Sequence, residues 1–386
     1  MSELEEVLSK WEKETGSAII RVGGEVEECK RICFSSPLAN YMSYGGIPRG
    51  KATEIFGGDG GGKTTTALDL CANAQRIFKD ENEWDIEDIT KELNAAIEAK
   101  KAKRTITALQ DKLKELKKGP KKVVYLDLEN TLDLEWAVKL GVDLEKMIII
   151  TPENDSAERI LQKVIDMIST GEVGLLVMDS IPCLVPQQIY DESMEKKSYG
   201  GVSAPISVFC SKIVPHLHKT GCALICINQV REDLNNPYND VVTPGGKALK
   251  HLYSVRLRAR KGSLLNEDNK EIPNRSPRPC GNVVQLEVVK SKAFKPDRRL
   301  GSYTLNYTTG IDVINDLVQI SIIAGTVMAA GAWYSLVDPQ TGEIMTDEEG
   351  NDLKFQGVKN LVTFLKNNPD ICEELDDYAQ ENLKTL

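Results

Sequence analysis

The sequence has no run of about 20 uninterrupted apolar residues, the length that a helix needs to cross a bilayer. Its start, Met1 to Glu6, is acidic where a secretory signal peptide would be basic. Nine cysteines are spread over 386 residues without a C-x-x-C pair, which argues against the disulfide framework of a secreted protein. We therefore expect a cytoplasmic protein with reduced thiols and no contact with a membrane.

Positive charge is also in short supply. The chain has 48 Lys and Arg residues against 58 Asp and Glu residues, which gives a net charge of −10. A chain of this charge has no general attraction for nucleic acid, so any such contact has to come from local basic loops. With 41% hydrophobic residues, the chain can form a large core and a second, smaller domain.

Histidine is scarce, with three residues in the whole chain. We interpret His216 and His218 as residues on a helix surface rather than as metal ligands. Cys222 and Cys226 lie four apart in an apolar run, where strand geometry places both on one face. Core packing explains this pair of cysteines better than metal binding does.

Between about residues 51 and 260, apolar runs typical of strands alternate with helical stretches. The runs are Ala52 to Phe56, Val123 to Leu126, Met147 to Ile150, Leu175 to Met178, Ala223 to Ile227 and Ser254 to Ala259. This alternation predicts an α/β fold with a mostly parallel sheet flanked by helices. Val283 to Val289 and Tyr303 to Tyr307 alternate more strictly and are candidates to extend the same sheet.

Three segments fall outside this alternation. The first, residues 1–34, begins with a capping box and amphipathic spacing and continues as a short strand. So short a helix needs a surface to pack on, either its own domain or a neighbouring subunit, and we expect an arm for subunit packing. The second, residues 80–118, is a charged insertion in the core domain of residues 35–312 and predicts a long helix or helical hairpin. The third, residues 313–386, predicts a small C-terminal α/β domain.

A phosphate-binding loop follows the first core strand. Its residues are Gly57, Gly58, Asp59, Gly60, Gly61, Gly62, Lys63, Thr64 and Thr65. They match G-x-x-x-x-G-K-[ST] between a strand and a helix, which is the context that this motif requires. Backbone N–H groups and Lys63 can bind the phosphates of ATP, and Thr64 can bind Mg²⁺.

Two further strands end in carboxylates. Leu175 to Met178 is followed by Asp179 and Ser180, where a fold with this loop places the acid that holds Mg²⁺. Val123 to Leu126 is followed by Asp127 and then Glu129. A carboxylate at this edge of a sheet can orient the water that attacks the terminal phosphate, so Glu129 is the candidate catalytic residue.

Together these residues resemble the bacterial RecA recombinases and their phage relatives over nearly the whole chain except residues 80–118. Besides the phosphate loop, the stretches that carry the resemblance are Asp127-Leu-Glu-Asn-Thr-Leu-Asp133, Met178-Asp-Ser180, Ile227-Asn-Gln-Val-Arg231, Gly245-Gly-Lys-Ala-Leu-Lys250, Val288-Val-Lys-Ser-Lys292 and Gly331-Ala-Trp-Tyr334. The resemblance implies a DNA-dependent ATPase that forms filaments on single-stranded DNA and exchanges strands with homologous duplex DNA in DNA repair.

The resemblance also implies roles for particular residues. Glu129 matches the glutamate that activates water. Asp133, Trp136 and Tyr307 fall where the family surrounds the adenine, with Trp136 in place of a tyrosine. Gln229 matches the glutamine that senses the γ-phosphate.

Further implied roles concern the neighbouring subunit and DNA. Lys290 and Lys292 match lysines that reach the ATP of the adjacent subunit. Two DNA-binding loops would correspond to about residues 191–203 and 231–246. The implied DNA-binding residues are Lys196, Lys197, Tyr199, Gly200, Gly201, Lys212, Arg231, Leu234, Gly245 and Gly246.

The chain departs from the family pattern at three places. Ala204-Pro205 stands where the family has an arginine, and the second loop carries the acids Glu232, Asp233 and Asp240. Both departures predict weaker or more salt-sensitive DNA binding. The insertion at 80–118 has no assigned role and favours a viral or divergent homologue, whose location would then be the host cytoplasm.

Two other functions fit the same ATPase core. A ring-forming helicase would leave the N-terminal helix and the stretch Gly331 to Tyr334 without an obvious counterpart. The recombinase accounts for every motif, including the paired lysines and the leading helix. A filament that serves mainly as a regulatory scaffold for partner proteins, with ATP as its assembly switch, is the other alternative. The sequence does not name loading or regulatory partners.

Overall fold

The structure, a computed structural model, describes residues 3, 6–7, 9–10, 29–190, 202–231, 242–347 and 349–382. The chain divides into two units, Met1–Lys30 and Arg31–Leu386. In the first unit, the described residues at 3, 6–7 and 9–10 are helical. The rest of the predicted arm, including its strand, lies outside the described residues.

A large mixed sheet forms the centre of the second unit. In the described residues the strands are β1 (Arg31–Ile32), β2 (Ile47–Pro48), β3 (Ala52–Gly57), β4 (Lys122–Asp127), β5 (Met147–Ile150), β6 (Val173–Asp179), β7 (Ala223–Gln229), β8 (Val255–Leu265), β9 (Glu271–Ile272), β10 (Gly281–Ser291), β11 (Leu300–Asn306), β12 (Gly310–Ile311), β13 (Val327–Ala330), β14 (Trp333–Leu336) and β15 (Lys354–Gln356). The sheet has the order β12-β11-β10-β8-β3-β7-β6-β4-β5, with β9 paired to β8. Strands β3 to β8 pair in parallel, whereas β10, β11 and β12 extend the sheet in antiparallel pairs. The predicted fold class is therefore confirmed, including the extension by the two more strictly alternating runs.

Helices cover both faces of this sheet. In the described residues the helices are α1 (Pro37–Ser43), α2 (Lys63–Glu98), α3 (Lys103–Leu116), α4 (Leu134–Lys139), α5 (Ala157–Ser169), α6 (Gln187–Tyr190), α7 (Ser203–Thr220), α8 (Gly246–Leu252), α9 (Val313–Ala324), α10 (Val358–Asn367) and α11 (Pro369–Glu381). Short 3₁₀ turns lie at Leu144–Lys146 and Ile181–Cys183.

The two faces of the sheet bury different cores because successive strand residues point to opposite sides. In β4, Val123 and Tyr125 pack into the core that includes α2. Val124 and Leu126 pack into the core that includes α5 and α7. Burial on both faces explains why the parallel strands read as continuous apolar runs in the sequence.

Cys222 lies just before β7 and Cys226 lies within it, and both are core residues. Cys222 and Cys226 are fully buried on the face that packs against α5 and α7. His216 and His218 lie on α7 and are partly or fully exposed, as expected for residues on a helix surface.

The insertion at 80–118 is a helical hairpin, one of the two arrangements that the sequence predicts. Its first arm does not start as a separate helix. Helix α2 starts at the phosphate loop and continues without a break through 36 residues, so its second half is the first arm of the insertion. Helix α3 is the second arm. Ile89, Ala96 and Leu109 form a small core of their own between the two arms.

The C-terminal residues have a separate core as well. Strands β13, β14 and β15 form a three-stranded antiparallel sheet. Its residues pack with α9, α10 and α11 around Leu317, Leu336 and Leu361. The division of the chain at residues 34 and 312 stays a prediction.

A buried carboxyl group fixes α9 against the central sheet. Asp316 is 2% exposed, and its Oδ1 accepts a hydrogen bond of 3.2 Å from the backbone N–H of Thr304 in β11. Burial raises the pKa of Asp316 to about 7, because the ionised form loses its hydration. In the unfolded chain the same group would titrate near 3.9.

We expect stability to fall as the pH rises through this window. Between about pH 4 and pH 7 the folded chain holds a proton on Asp316 that the unfolded chain has lost, so each pH unit costs up to about 1.4 kcal/mol of unfolding free energy. The variant Asp316→Asn should remove this contribution. Urea unfolding at pH 4.5, 5.5 and 6.5 tests it, and equal slopes in both proteins would contradict the assignment.

Candidate nucleotide-binding site

The phosphate loop joins the end of β3 to the start of α2. Gly60 and Gly62 have positive φ angles of 67° and 87°, which side chains other than glycine rarely adopt. A Cβ at Gly62 would lie 2.9 Å from Cγ1 of Val284, and a Cβ at Gly57 would lie 2.1 Å from the carbonyl oxygen of Ala259. The glycines are therefore required both by backbone conformation and by the close approach of β8 and β10.

A cavity of about 380 Å³ opens above this loop. Its lining residues are Gly60, Gly61, Gly62, Lys63, Thr64, Thr65, Trp136, Lys261, Asn282, Val284, Leu305 and Tyr307. The volume falls within the usual range for small-molecule sites, roughly 300–1,000 Å³. The N-terminus of α2 faces the loop, so the helix dipole favours an anionic group there.

Two aromatic residues flank the cavity, and both are held by hydrogen bonds. The indole Nε1 of Trp136 donates to Oγ1 of Thr65 at 3.3 Å. The hydroxyl of Tyr307 donates to Oδ1 of Asn282 at 2.9 Å. Flat rings at the wall of a cavity that also contains the phosphate loop suit a stacked base.

Asp133 contributes indirectly to this wall. It is the N-cap of α4, and its Oδ1 accepts a hydrogen bond of 3.0 Å from the backbone N–H of Trp136. It is not among the residues that line the cavity. A direct contact of Asp133 with adenine therefore stays a prediction, while its support of the Trp136 backbone is a geometric fact.

Asp179 lies where the phosphate loop, β6 and β4 meet. Its Oδ2 accepts hydrogen bonds from the hydroxyl of Thr64 at 2.9 Å and from the hydroxyl of Tyr125 at 2.6 Å. Burial raises its pKa, and the nearby carboxylates of Glu129 and Asp127 act in the same direction. Hydroxyl and carboxylate oxygens are the ligands that Mg²⁺ prefers, so Thr64 and Asp179 fit the predicted metal site.

Glu129 is anchored beside Asp179. The hydroxyl of Ser180 donates a hydrogen bond to Oε1 of Glu129. The backbone N–H of Glu129 donates to Oδ1 of Asp127 at 3.2 Å, and Asp127 Oδ2 accepts from the backbone N–H of Leu132 at 3.0 Å. Asp127 thus shapes the turn after β4, and the turn directs Glu129 to the same sheet edge as the phosphate loop.

Gln229 ends β7 directly beside the phosphate loop, because Gly57 and Gln229 are paired across β3 and β7. The preceding residue, Asn228, donates from Nδ2 to Oε1 of Glu54 at 2.9 Å and to the carbonyl oxygen of Pro244 at 3.0 Å. Glu54 is fully buried in β3.

The same buried carboxylate has a second partner. Arg256 Nε lies 2.5 Å from Glu54 Oε2, and Arg256 Nη2 donates to Oγ1 of Thr243 at 3.2 Å. The strand that leads into the phosphate loop is therefore tied twice to residues 243–244. No sequence motif predicted this network, although the glutamate inside the apolar run of β3 was a visible signal for it.

Lys290 and Lys292 lie at the opposite end of the sheet from the phosphate loop. Lys290 pairs with Arg256 near the start of β8, whereas the phosphate loop follows the far end of the parallel strand β3. Lys290 Nζ donates to the carbonyl oxygen of Lys250 at 2.5 Å, and Lys292 Nζ donates to that of His251 at 3.4 Å. Burial lowers the pKa of Lys290, and the charges of Lys292 and Arg256 add to this effect.

Most residues of the predicted DNA loops lie outside the described residues, namely Lys196, Lys197, Tyr199, Gly200, Gly201 and Leu234. Arg231 is exposed and exchanges two backbone hydrogen bonds of 2.8 Å with Val242, which brings the two ends of the intervening segment together. Gly245 and Gly246 have positive φ angles at the start of α8. Lys212 is exposed on α7.

Comparison with known proteins finds relatives that match nearly the whole chain. Residues 2–91 and 92–312 match the family profile of the RecA N-terminal domain. A protein named Protein RecA from Thermus aquaticus is 30% identical over 377 residues, covering 96% of this chain and 92% of that protein. Protein RecA of Streptomyces venezuelae is 29% identical over 384 residues, covering 98% of this chain and 84% of that protein.

A solved structure is also similar in part. The crystal structure of the RadB recombinase aligns with a TM-score of 0.44 at 18% identity, covering 70% of this chain and 94% of that chain.

The close approach at Gly62 gives a testable prediction. Gly62→Ala should lower nucleotide affinity about tenfold or more, because its Cβ meets Val284 and displaces the N–H groups that bind phosphate. Gly171→Ala is the matched control, since Gly171 also has a positive φ, 79°, but no atom lies within 4 Å of its added Cβ. Titration with a fluorescent ATP analogue checks this, and equal losses in both variants would contradict it.

Proposed function

The chain belongs to the RecA family of ATP-dependent DNA recombinases, and we propose that it works as a filament on single-stranded DNA in which each ATP lies between two subunits. The observation that carries the proposal is the separation of charges within one subunit. The phosphate loop, Asp179 and Glu129 gather at one end of the sheet, whereas Lys290 and Lys292 lie at the other.

Each subunit supplies the groups that bind ATP and orient the attacking water. The loop N–H groups and Lys63 bind the phosphates, and Trp136 and Tyr307 hold the base. Mg²⁺ bound by Thr64 and Asp179 would neutralise phosphate charge. Glu129 orients the attacking water and accepts its proton, while Ser180 holds the carboxylate in place.

The adjacent subunit supplies the other side. Lys290 and Lys292 do not line the cavity of their own chain. A lysine side chain is too short to reach from Lys290 back along β10 to Val284, which borders the phosphate loop, because six strand residues span about 20 Å. Placed against a neighbour's ATP, two ammonium groups would stabilise the charge that develops on the transferred phosphoryl group. Hydrolysis would then require assembly, which links ATP turnover to the filament.

DNA binding is coupled to the nucleotide through Gln229 in this proposal. Gln229 is paired with Gly57, and the network around Glu54 fixes residues 243–244, where the chain returns from the segment proposed as the second DNA loop. A shift of Gln229 towards the γ-phosphate would pull on one end of that segment. The other proposed loop, about residues 191–203, would supply a stacking and phosphate-binding surface.

A mixing experiment tests whether the lysines act on the neighbour. Glu129→Gln should bind ATP and assemble but hydrolyse it slower by orders of magnitude, since it loses nucleophile activation. The double variant Lys290→Ala/Lys292→Ala should be equally slow. In a 1:1 mixture about a quarter of the interfaces combine an intact Glu129 with an intact lysine pair, because head-to-tail interfaces pair subunits at random.

DNA-stimulated ATPase activity of the mixture should therefore recover to about a quarter of the wild-type rate. If the lysines served the ATP of their own chain, each subunit would still carry one defect and the mixture would stay inactive. Wild-type protein mixed with an equal amount of Glu129→Gln is the control for random co-assembly. Normal turnover by Glu129→Gln alone would remove Glu129 from the catalytic role.

Strand exchange separates the three candidate functions. We expect the protein to exchange a single strand into a duplex only when the two are homologous, and only with ATP and an intact Lys63. Unwinding of a duplex regardless of homology would favour the ring helicase. Filaments that need ATP but exchange no strands would favour the regulatory scaffold.

A further inference from the structure

The helical hairpin at 80–118 separates its charges between its two arms. Residues 79–98, the outer half of α2, carry eight acids and two bases. Residues 99–122, which include α3, carry ten bases and two acids. In a chain of net charge −10, this second arm is a strong local concentration of positive charge. The function proposed above makes no use of it.

One face of α3 contains only basic and neutral polar side chains. Its residues follow helical spacing and are Lys103, Thr107, Gln110, Lys114 and Lys117. All five are exposed. At about 1.5 Å per residue, this basic stripe is about 21 Å long. The two acids of the helix, Asp111 and Glu115, lie to one side of the stripe, and the apolar residues face α2.

The lysines of the basic stripe are not neutralised by neighbours on the hairpin. An ion pair of 2.7 Å joins Lys118 to Glu115 beside the stripe, and the described residues show no ion pair for Lys103, Lys114 or Lys117. On α2, Glu83 pairs with Lys79 and Glu87 with Lys91, whereas Glu81 pairs with Arg49 outside the helix. Lys103, Lys114 and Lys117 therefore present three uncompensated charges along one line.

The basic stripe is remote from the site of the proposed DNA loops. Those segments follow the carboxyl ends of β6 and β7. Helix α2 starts at the same end of the sheet and runs about 54 Å away from it, since it has 36 residues. Helix α3 then leads back to the start of β4, at the opposite end of the parallel strands. The stripe and the strand ends from which the proposed loops depart therefore lie at opposite ends of the parallel strands.

The chemistry of the stripe favours a phosphate backbone over a protein surface. Protein interfaces have an apolar or aromatic centre, and this face has none. Ammonium, hydroxyl and carboxamide groups are the donors with which proteins bind DNA phosphates. A length of about 21 Å matches about six base-pair steps of a duplex at 3.4 Å each.

We propose that the basic stripe of α3 binds the backbone of duplex DNA at a position separate from the strand held by the loops. This inference rests on the proposed function in one respect, because strand exchange requires a duplex beside the single strand. The contact is with phosphates and carries no sequence preference. It also offsets the acidic residues of the second proposed loop, which weaken attraction there.

The test compares two triple variants of equal charge. Lys103→Gln/Lys114→Gln/Lys117→Gln removes the stripe, and Lys139→Gln/Lys219→Gln/Lys366→Gln removes three lysines that are exposed on other helices. Duplex capture is measured between 50 and roughly 200 mM salt, with the protein free and with it loaded on single-stranded DNA. Circular dichroism checks that the helices are intact.

We expect the stripe variant to lose duplex affinity and salt sensitivity. The negative slope of log affinity against log salt should become shallower by about 2 to 3, because each phosphate contact contributes about 0.9 to the size of that slope. The control variant should keep the wild-type slope. Binding to single-stranded DNA and the ATPase activity that it stimulates should stay unchanged in both variants.

Three outcomes would overturn the proposal, and a fourth would separate it from the proposed function. Equal slopes in the two variants would show that only net charge matters. A parallel loss of single-strand binding would show that the stripe is no separate site. A loss of self-association without DNA, seen by sedimentation, would show that the stripe meets a second copy of the chain. If the wild type forms no filament but the stripe variant still loses duplex affinity, the proposed function fails and this contact stands.

Discussion

The carboxylate of Asp179 is the interaction on which the organisation of the site depends. One oxygen receives the hydroxyl of Thr64 from the phosphate-loop helix and the hydroxyl of Tyr125 from β4. These two bonds join three elements that are far apart in the sequence. The adjacent residue, Ser180, holds Glu129. The group that fits Mg²⁺ and Glu129, the group proposed to orient water, are thus positioned by neighbouring residues of one strand end.

A second buried carboxylate extends this organisation towards the proposed DNA loop. Glu54 lies in the strand that leads into the phosphate loop and binds both Asn228 and Arg256. Removing one partner of such a buried network is costly, because it leaves a charge without compensation. The strand, Gln229 and residues 243–244 are therefore expected to move together. In the proposed function, this connection would be the physical route from the nucleotide to residues 243–244.

The insertion is a continuation of the helix that begins at the phosphate loop. Because α2 runs without interruption from Lys63 to Glu98, the hairpin is attached to the nucleotide site by a continuous helix rather than by a linker. Its inner surface is apolar and small, around Ile89 and Leu109, and its outer surface is charged. Its apolar residues form a cluster separate from the cores of the central sheet.

The sequence alone determined the α/β class, the phosphate loop and the carboxylates at the strand ends, because these features follow from local periodicity and from motifs of fixed spacing. It also predicted the helical hairpin from its apolar spacing. Only the tertiary structure decided that Asp133 supports Trp136 from outside the cavity, that Lys261 and Asn282 line it, and that Glu54 binds Arg256. Glu54 and Arg256, for example, are 202 positions apart. They depend on strand order and register, which the pattern along a single strand does not specify.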